Sequence, residues 1–164
     1  MPSNIVPCLW FDGQVEEAAK FYISIFKDGK ITSVQYYTDA GKEIHGHKAG
    51  DVMLVAFEIN GQSFTILNGG PQFKFSEAIS FQIMCEDQAE VDHYWYKLGE
   101  GGDPAKQQCG WVGDKYGLSW QVVPKILDKL VTDPDPEKSR RTLQAMMDMK
   151  KLDISSLKAA YEGK

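Results

Sequence analysis

Gly61-Gln-Ser-Phe-Thr-Ile66 returns later in the chain as Gly117-Leu-Ser-Trp-Gln-Val122. In both stretches a Ser stands two residues after the Gly, an aromatic three after it and a β-branched residue five after it. The likeness extends upstream. Ile5–Phe11 leads into Asp12 and a helix-like run, and Ser80–Cys85 leads into Asp87 and a second helix-like run. An internal repeat constrains architecture more than an isolated motif does. It predicts two similar modules joined in one sheet, with a cavity between them as the place for function.

Outward from the repeat, each half reads β-α-β-β-β. Ile5–Phe11 is a strand ended by Asp12-Gly13. Val15 to Phe26 is a helix, with Val15, Ala18, Ala19, Tyr22 and Ile25/Phe26 on one face. Ile31–Thr38 alternates and is rich in β-branched and aromatic residues, so it is a strand. Residues 39–50 hold three glycines and two histidines and form a long connection. Val52–Ile59 and Gln62–Leu67 flank Asn60-Gly61, whose tolerance of positive φ suits a type I′ hairpin. Asn68-Gly-Gly-Pro71 ends the first module. Strand Ile79–Cys85 opens the second, followed by a helix from Gln88 to Leu98. Short strands near Ala105–Gln108 and Cys109–Val112 come next, and Leu118–Val123 is last. Beyond Pro124 the tail is helical: Leu143, Met146, Met147 and Lys150 form a stripe, and Ser155 or Ser156 caps a final helix to Glu162. The expected class is α+β, two βαβββ modules (1–71 and 72–124) forming a curved mixed sheet around a concave cavity. A helical tail (125–164) completes one integrated domain.

With 164 residues and a net charge of −5, the chain is long enough for such a core and too acidic for a nucleic-acid footprint. No apolar stretch is long enough to span a bilayer. Met1-Pro-Ser-Asn4 lacks the regions of a signal peptide, which makes a cytoplasmic location the expectation. Three cysteines without a CxxC argue against a disulfide framework.

Six segments carry a resemblance to a known family: Pro7-Cys-Leu-Trp-Phe-Asp12, Ala18-Ala-Lys-Phe-Tyr22, Phe64-Thr-Ile-Leu-Asn-Gly-Gly-Pro71, Asp92-His-Tyr-Trp95, Cys109-Gly-Trp-Val-Gly-Asp114 and Gly117-Leu-Ser-Trp-Gln-Val-Val-Pro124. Asp133-Pro-Asp-Pro136 fits as well. The chain resembles the vicinal oxygen chelate superfamily of glyoxalase I, extradiol dioxygenases and bleomycin-resistance proteins. Within it, the nearest branch is PhnB-like, labelled 3-demethylubiquinone 3-methyltransferase-like. The resemblance implies the paired-module fold, a homodimer and, in the superfamily's enzymes, a divalent metal on the inner faces of four strands. Carried onto this sequence, the metal positions are Ile5, Thr65, Ser80 and Gln121, which offer no imidazole and no carboxylate. A hard divalent ion needs several such ligands, so no metal and no cofactor are expected.

Strand alternation gives an independent view of the same face. Phe64 and Ile66 oppose Ser63 and Thr65; Phe81 and Ile83 oppose Ser80, Gln82 and Met84; Leu118, Trp120 and Val122 oppose Ser119, Gln121 and Val123. The apolar set belongs under the helices. The other set would line a neutral, hydrogen-bonding cavity suited to a small organic ligand. Candidate lining residues are therefore Ile5, Ser63, Thr65, Ser80, Gln82, Ser119 and Gln121. Trp111 either walls the cavity or packs.

Other candidates have simpler readings. His45-Gly-His47 lies in a Gly-rich connection without a nearby third ligand, which makes these loop histidines. His93 reads as helix surface, and Glu58 as a solvated strand-end residue rather than a general base. Cys109 would need a nearby cation to be reactive and reads as packing. Cys8 and Cys85 are expected under helices, and Trp10, Trp95 and Trp120 in the core. The leading expectation is a metal-free small-molecule-binding protein with no catalytic residues identified. The alternatives are a metal-dependent lyase, isomerase or dioxygenase using residues such as His45 or Glu58, and a methyltransferase. Against the last, Asn68-Gly-Gly-Pro71 is not followed by the α/β alternation that a typical methyltransferase cofactor site requires.

Overall fold

A computed structural model describes residues 5–164. The four N-terminal residues, read above as lacking a signal sequence, lie outside them. The chain divides into two compact units, one running to Lys74 and the other from Phe75.

The first unit contains β1 (Cys8–Phe11), α1 (Val15–Ile25), β2 (Lys30–Tyr36), α2 (Lys42–His45), β3 (Val52–Ile59) and β4 (Gln62–Asn68). Its sheet has the order β1-β4-β3-β2, with β1 parallel to β4 and the other pairs antiparallel. Asn60 and Gly61 take φ of 47° and 75°, the left-handed pair that a type I′ turn demands, and they set Ile59 opposite Gln62. That register puts Val55, Phe57, Ile59, Phe64 and Ile66 on one face, all buried with Leu9, Phe11 and the apolar stripe of α1. Phe57 stacks between Tyr22 and Phe64, with ring centroids 6.0 and 5.5 Å away. The first strand is shorter than expected because Pro7 has no N–H to give a ladder. Its carbonyl still accepts from Thr65 N at 2.9 Å.

One expectation fails in this unit. Cys8 and Trp10 point to the face opposite Leu9 and Phe11, so Cys8 is exposed and Trp10 only half-buried. The period-2 alternation requires this once Leu9 and Phe11 take the core side. The connection 39–50 joins the antiparallel strands β2 and β3, as expected. It contains α2, bounded by left-handed Gly41 and Gly46, and stacks His45 and His47 on Tyr37 with centroids 4.4 Å away in each case.

The second unit contains β5 (Ser80–Cys85), α3 (Gln88–Gly99), β6 (Trp111–Gly113), β7 (Ser119–Pro124), α4 (Ile126–Val131), α5 (Pro136–Met147) and α6 (Ile154–Glu162). The sheet order is β5-β7-β6, with β5 parallel to β7. Asp87 caps α3 by accepting from Glu90 N at 2.9 Å. Ile83, Cys85, Trp120 and Val122 are buried with Val91, Tyr94, Trp95 and Leu98 of that helix. The strand expected at 105–108 is instead a 3-10 turn over Pro104–Lys106 and one bridge, Gln108 to Trp111. Cys109 and Gly110 between them have φ of 50° and 85°, a second I′-type pair that reverses the chain.

The tail folds back within this unit. Leu127, Leu130, Leu152 and Leu157 form a small buried cluster joined by Val123, Met146 and Tyr161. The final helix is capped by Asp153, which accepts from Ser156 N at 2.7 Å, rather than by Ser155 or Ser156. Asp is as good an N-cap as Ser, and here it sits two positions before Ser155 and three before Ser156. Among the described residues no helix is long and apolar enough to cross a membrane.

Candidate functional site

The polar side of β5 and β7 forms the floor of a cleft of ≈ 610 Å³ within the second unit. Register places Ser80 opposite Ser119 and Gln82 opposite Gln121 on the parallel pair. Gln82 Nε2 donates to Gln121 Oε1 at 3.2 Å, and Gln121 Nε2 donates to Ser80 Oγ at 2.8 Å. Of the three, Gln82 and Gln121 line the cleft, and Ser80 holds the Gln121 amide in place. Ser119, 2% exposed, and Trp111, opposite Gln121 on β6, complete this part of the lining.

The other wall comes from the tail and the 104–110 connection. Leu127, Met146, Met147 and Leu152 face the cleft together with Ala105, Lys106, Gln108 and Cys109. The Cys109-Gly110 turn holds the wall in place. Cys109 N donates to Met149 O and Gly110 N to Lys150 O, both at 2.8 Å. Gln108 Nε2 donates to Met147 O at 2.7 Å. A Cβ at Gly110 would lie 3.0 Å from both Leu152 Cδ1 and Val122 O, so glycine permits the close approach. At the mouth, Lys106 pairs with Glu77 at 2.7 Å, and this ammonium holds the Glu77 carboxyl below its usual range.

Of the eight residues expected to line a cavity, Gln82, Trp111, Ser119 and Gln121 line this cleft, and Ser80 is bonded to Gln121. The other three lie in the first unit. Ser63 stands opposite Glu58, and Thr65 Oγ1 donates to Pro7 O at 3.4 Å. Ile5 precedes β1 and is 90% exposed. Glu58 is engaged by Lys30 at 2.9 Å. His93 is exposed on α3.

Sequence reasoning missed Glu77, Lys106, Gln108 and the tail residues of the wall, because their meeting depends on chain reversal far from any periodic segment. It also missed Asp114, a buried carboxylate that fixes β7 beside the site. Its Oδ1 accepts from Tyr116 N and Leu118 N, and its Oδ2 accepts from Trp120 Nε1 at 2.9 Å. An Asp two residues before a turn amide, in Asp114-Lys-Tyr-Gly117, is the Asx-turn signal that marks it.

The metal positions of the superfamily do not fit a hard divalent ion here. Ser80 Oγ accepts from Gln121 Nε2 and Gln121 Oε1 accepts from Gln82 Nε2, Thr65 Oγ1 donates to Pro7 O, and Ile5 has no side-chain ligand atom. Among the described residues no three His, Cys, Asp or Glu side chains cluster as a metal set.

Paired small sheets, each with its first strand parallel to its last, define the vicinal oxygen chelate class of fold. Residues 3–123 match the family described as 3-demethylubiquinone-9 3-methyltransferase, and the chain belongs to that family. It is 33% identical to a Bacillus cereus PhnB protein described under the same methyltransferase name with the qualifier of an unproven assignment, covering 74% of this chain and 99% of that one at a TM-score of 0.62. Protein PA1353 from Pseudomonas aeruginosa shares the fold at 18% identity and a TM-score of 0.59, over 76% of this chain and 98% of that one. So does the fosfomycin resistance protein FosX from Listeria monocytogenes, in complex with Mn(II) and 1S,2S-dihydroxypropylphosphonic acid, at 15% identity and a TM-score of 0.51, over 79% of this chain and 98% of that one. A search of the curated proteins gives no match.

Proposed function

We propose that this chain is a binding protein for a small, partly polar organic molecule, held in the cleft over β5 and β7 without a resident divalent metal. The observation that carries the reading is the Ser80–Gln121–Gln82 run of hydrogen bonds on the cleft floor. Neutral donors and acceptors stand there at strand positions where the superfamily's enzymes hold an ion. The apolar wall of Leu127, Met146 and Leu152 supplies affinity by burial, and the amides supply orientation. The protein acts in the cytosol as a homodimer, consistent with three free thiols.

The metal-dependent alternative draws on the FosX complex, and the methyltransferase alternative on the family's name. Against the latter, the amides of the Gly69-Gly70 pair at the end of β4 are spent internally: Gly69 N and Gly70 N donate to Phe11 O at 2.9 and 3.2 Å. No phosphate or cofactor is cradled by donors already used.

Mass spectrometry of small molecules released by denaturing the purified protein tests the proposal. A retained compound that is absent from Gln121→Leu supports it. Stoichiometric Zn, Ni, Mn or Fe in the native protein would replace it with the metal-dependent reading, and micromolar binding of S-adenosylmethionine with the methyltransferase one. Light scattering checks the dimer, which requires twice the 18.4 kDa chain mass.

A further inference from the structure

At the tail side of the cleft, two sulfurs that the organic-ligand reading does not use meet beside Met146 of its apolar wall. Cys109 Sγ lies 3.7 Å from Met147 Sδ, and Met146 lines the same cleft. We propose that Cys109, Met147 and Met146 bind a soft monovalent d10 metal ion, with Cu(I) as the fitting species.

The two measured sulfurs are fixed by one network. Cys109 sits in a left-handed turn position whose amide donates to Met149 O, and the Met147 carbonyl accepts from the neighbouring Gln108 side chain. The turn and the end of α5 are therefore tied together, and the sulfurs with them. Metal–sulfur bonds of about 2.3 Å, as for zinc thiolates, would span the 3.7 Å separation at an S–metal–S angle of about 107°. That angle suits trigonal or tetrahedral coordination without moving either side chain. Met146, the preceding residue of α5 and part of the cleft lining, is the second thioether and third sulfur of the proposed set.

Softness decides which ion fits. Thiolate and thioether ligands select Cu(I) over hard cations. No imidazole lines this cleft, and its one carboxylate, Glu77, is paired with Lys106. On binding, the Cys109 thiol releases its proton to solvent and the metal–thiolate bond replaces the S–H bond, with no change of oxidation state. Gln108 Nε2, 3.5 Å from Sγ, donates toward the sulfur.

The test is anaerobic titration of the reduced full-length protein with Cu(I) in competition with bicinchoninate. One equivalent per chain is expected to be retained. Cys109→Ser should abolish retention, Met147→Leu and Met146→Leu should each weaken it about tenfold, and Cys8→Ser should leave it unchanged. Met147 is exposed, so its variant keeps the fold and reports on binding even if Cys109→Ser does not fold. X-ray absorption of the loaded protein should show a sulfur-only shell. Failure to withhold Cu(I) from the competitor overturns the proposal. So does retention unchanged in Met147→Leu, loss in Cys8→Ser, or displacement of Cu(I) by equimolar Zn(II). The organic ligand is tested separately at Gln121, and of these variants only Met146→Leu alters the apolar wall assigned to it.

Discussion

The same thiol behaves differently at three places. Cys85 is fully buried, and that burial pushes its pKa up to about 12. Since the thiolate is the nucleophile, Cys85 stays inert at neutral pH. Cys8 is exposed and Cys109 is half-buried at the cleft wall. Reaction of the native protein with a disulfide reagent should therefore release two equivalents of thiol, and a third only after denaturation. Gly69 makes a second prediction at this scale. A Cβ there would lie 2.3 Å from the Trp10 indole, whose Nε1 donates to Gly70 O at 2.8 Å. Gly69→Ala should cost about 2 kcal/mol through overpacking, seen as a lower denaturant midpoint at unchanged slope. Sequence alone marked Gly69 as part of a Gly-rich break. Only the exposure of Trp10 on the far face of β1, against the expectation of a core tryptophan, gives that glycine its reason.

Among elements, the strands and long helices were legible because their signals are local. The Asn60-Gly61 turn fixes its own register, and the stripes of α1 and α3 match their buried faces. Alternation alone likewise places Ser80, Gln82 and Gln121 on one face, where their hydrogen bonds lie. The 104–110 connection and the tail wall were not legible in this way. Cys109 and Gly110 were read as the start of a strand because Cys, Trp and Val favour strands, yet the preference was overridden by two amides bonding to a segment forty residues away. The tail's docking makes two predictions. Leu157 is fully buried, so Leu157→Ala should cost about 3 kcal/mol, read from thermal or denaturant melts. The tail is also tied by Lys151 to Asp92 of α3, and this ammonium holds the Asp92 carboxyl below its ordinary range; the Ser155 hydroxyl does the same for Asp153. A carboxyl with a folded pKa below its unfolded value stabilises fully above the unfolded value, about 3.9, and that contribution fades as pH falls through the depressed folded one. Proteolytic cleavage at residues 148–153 should thus rise in acid below about pH 4, and Asp92→Asn should raise it already at neutral pH.

For the molecule as a whole, what matters most is the closure of each sheet by parallel pairing of its first strand with its last. Cys8 meets Thr65, and Ser80 meets Ser119. Partners so remote in sequence impose a loop-closure cost before they return any contact energy. Pulse-labelling hydrogen exchange during refolding should find the β1 amides protected together with β4 and after the β3–β4 hairpin; protection of β1 ahead of the hairpin would contradict this. During synthesis the consequence is sharper. When β1 leaves the ribosome its only sheet neighbour has not yet been translated. The chain must emerge as far as Asn68 before β1 has somewhere to go, which makes translation speed across Gln62–Asn68 a determinant of how long that apolar segment stays open to other chains.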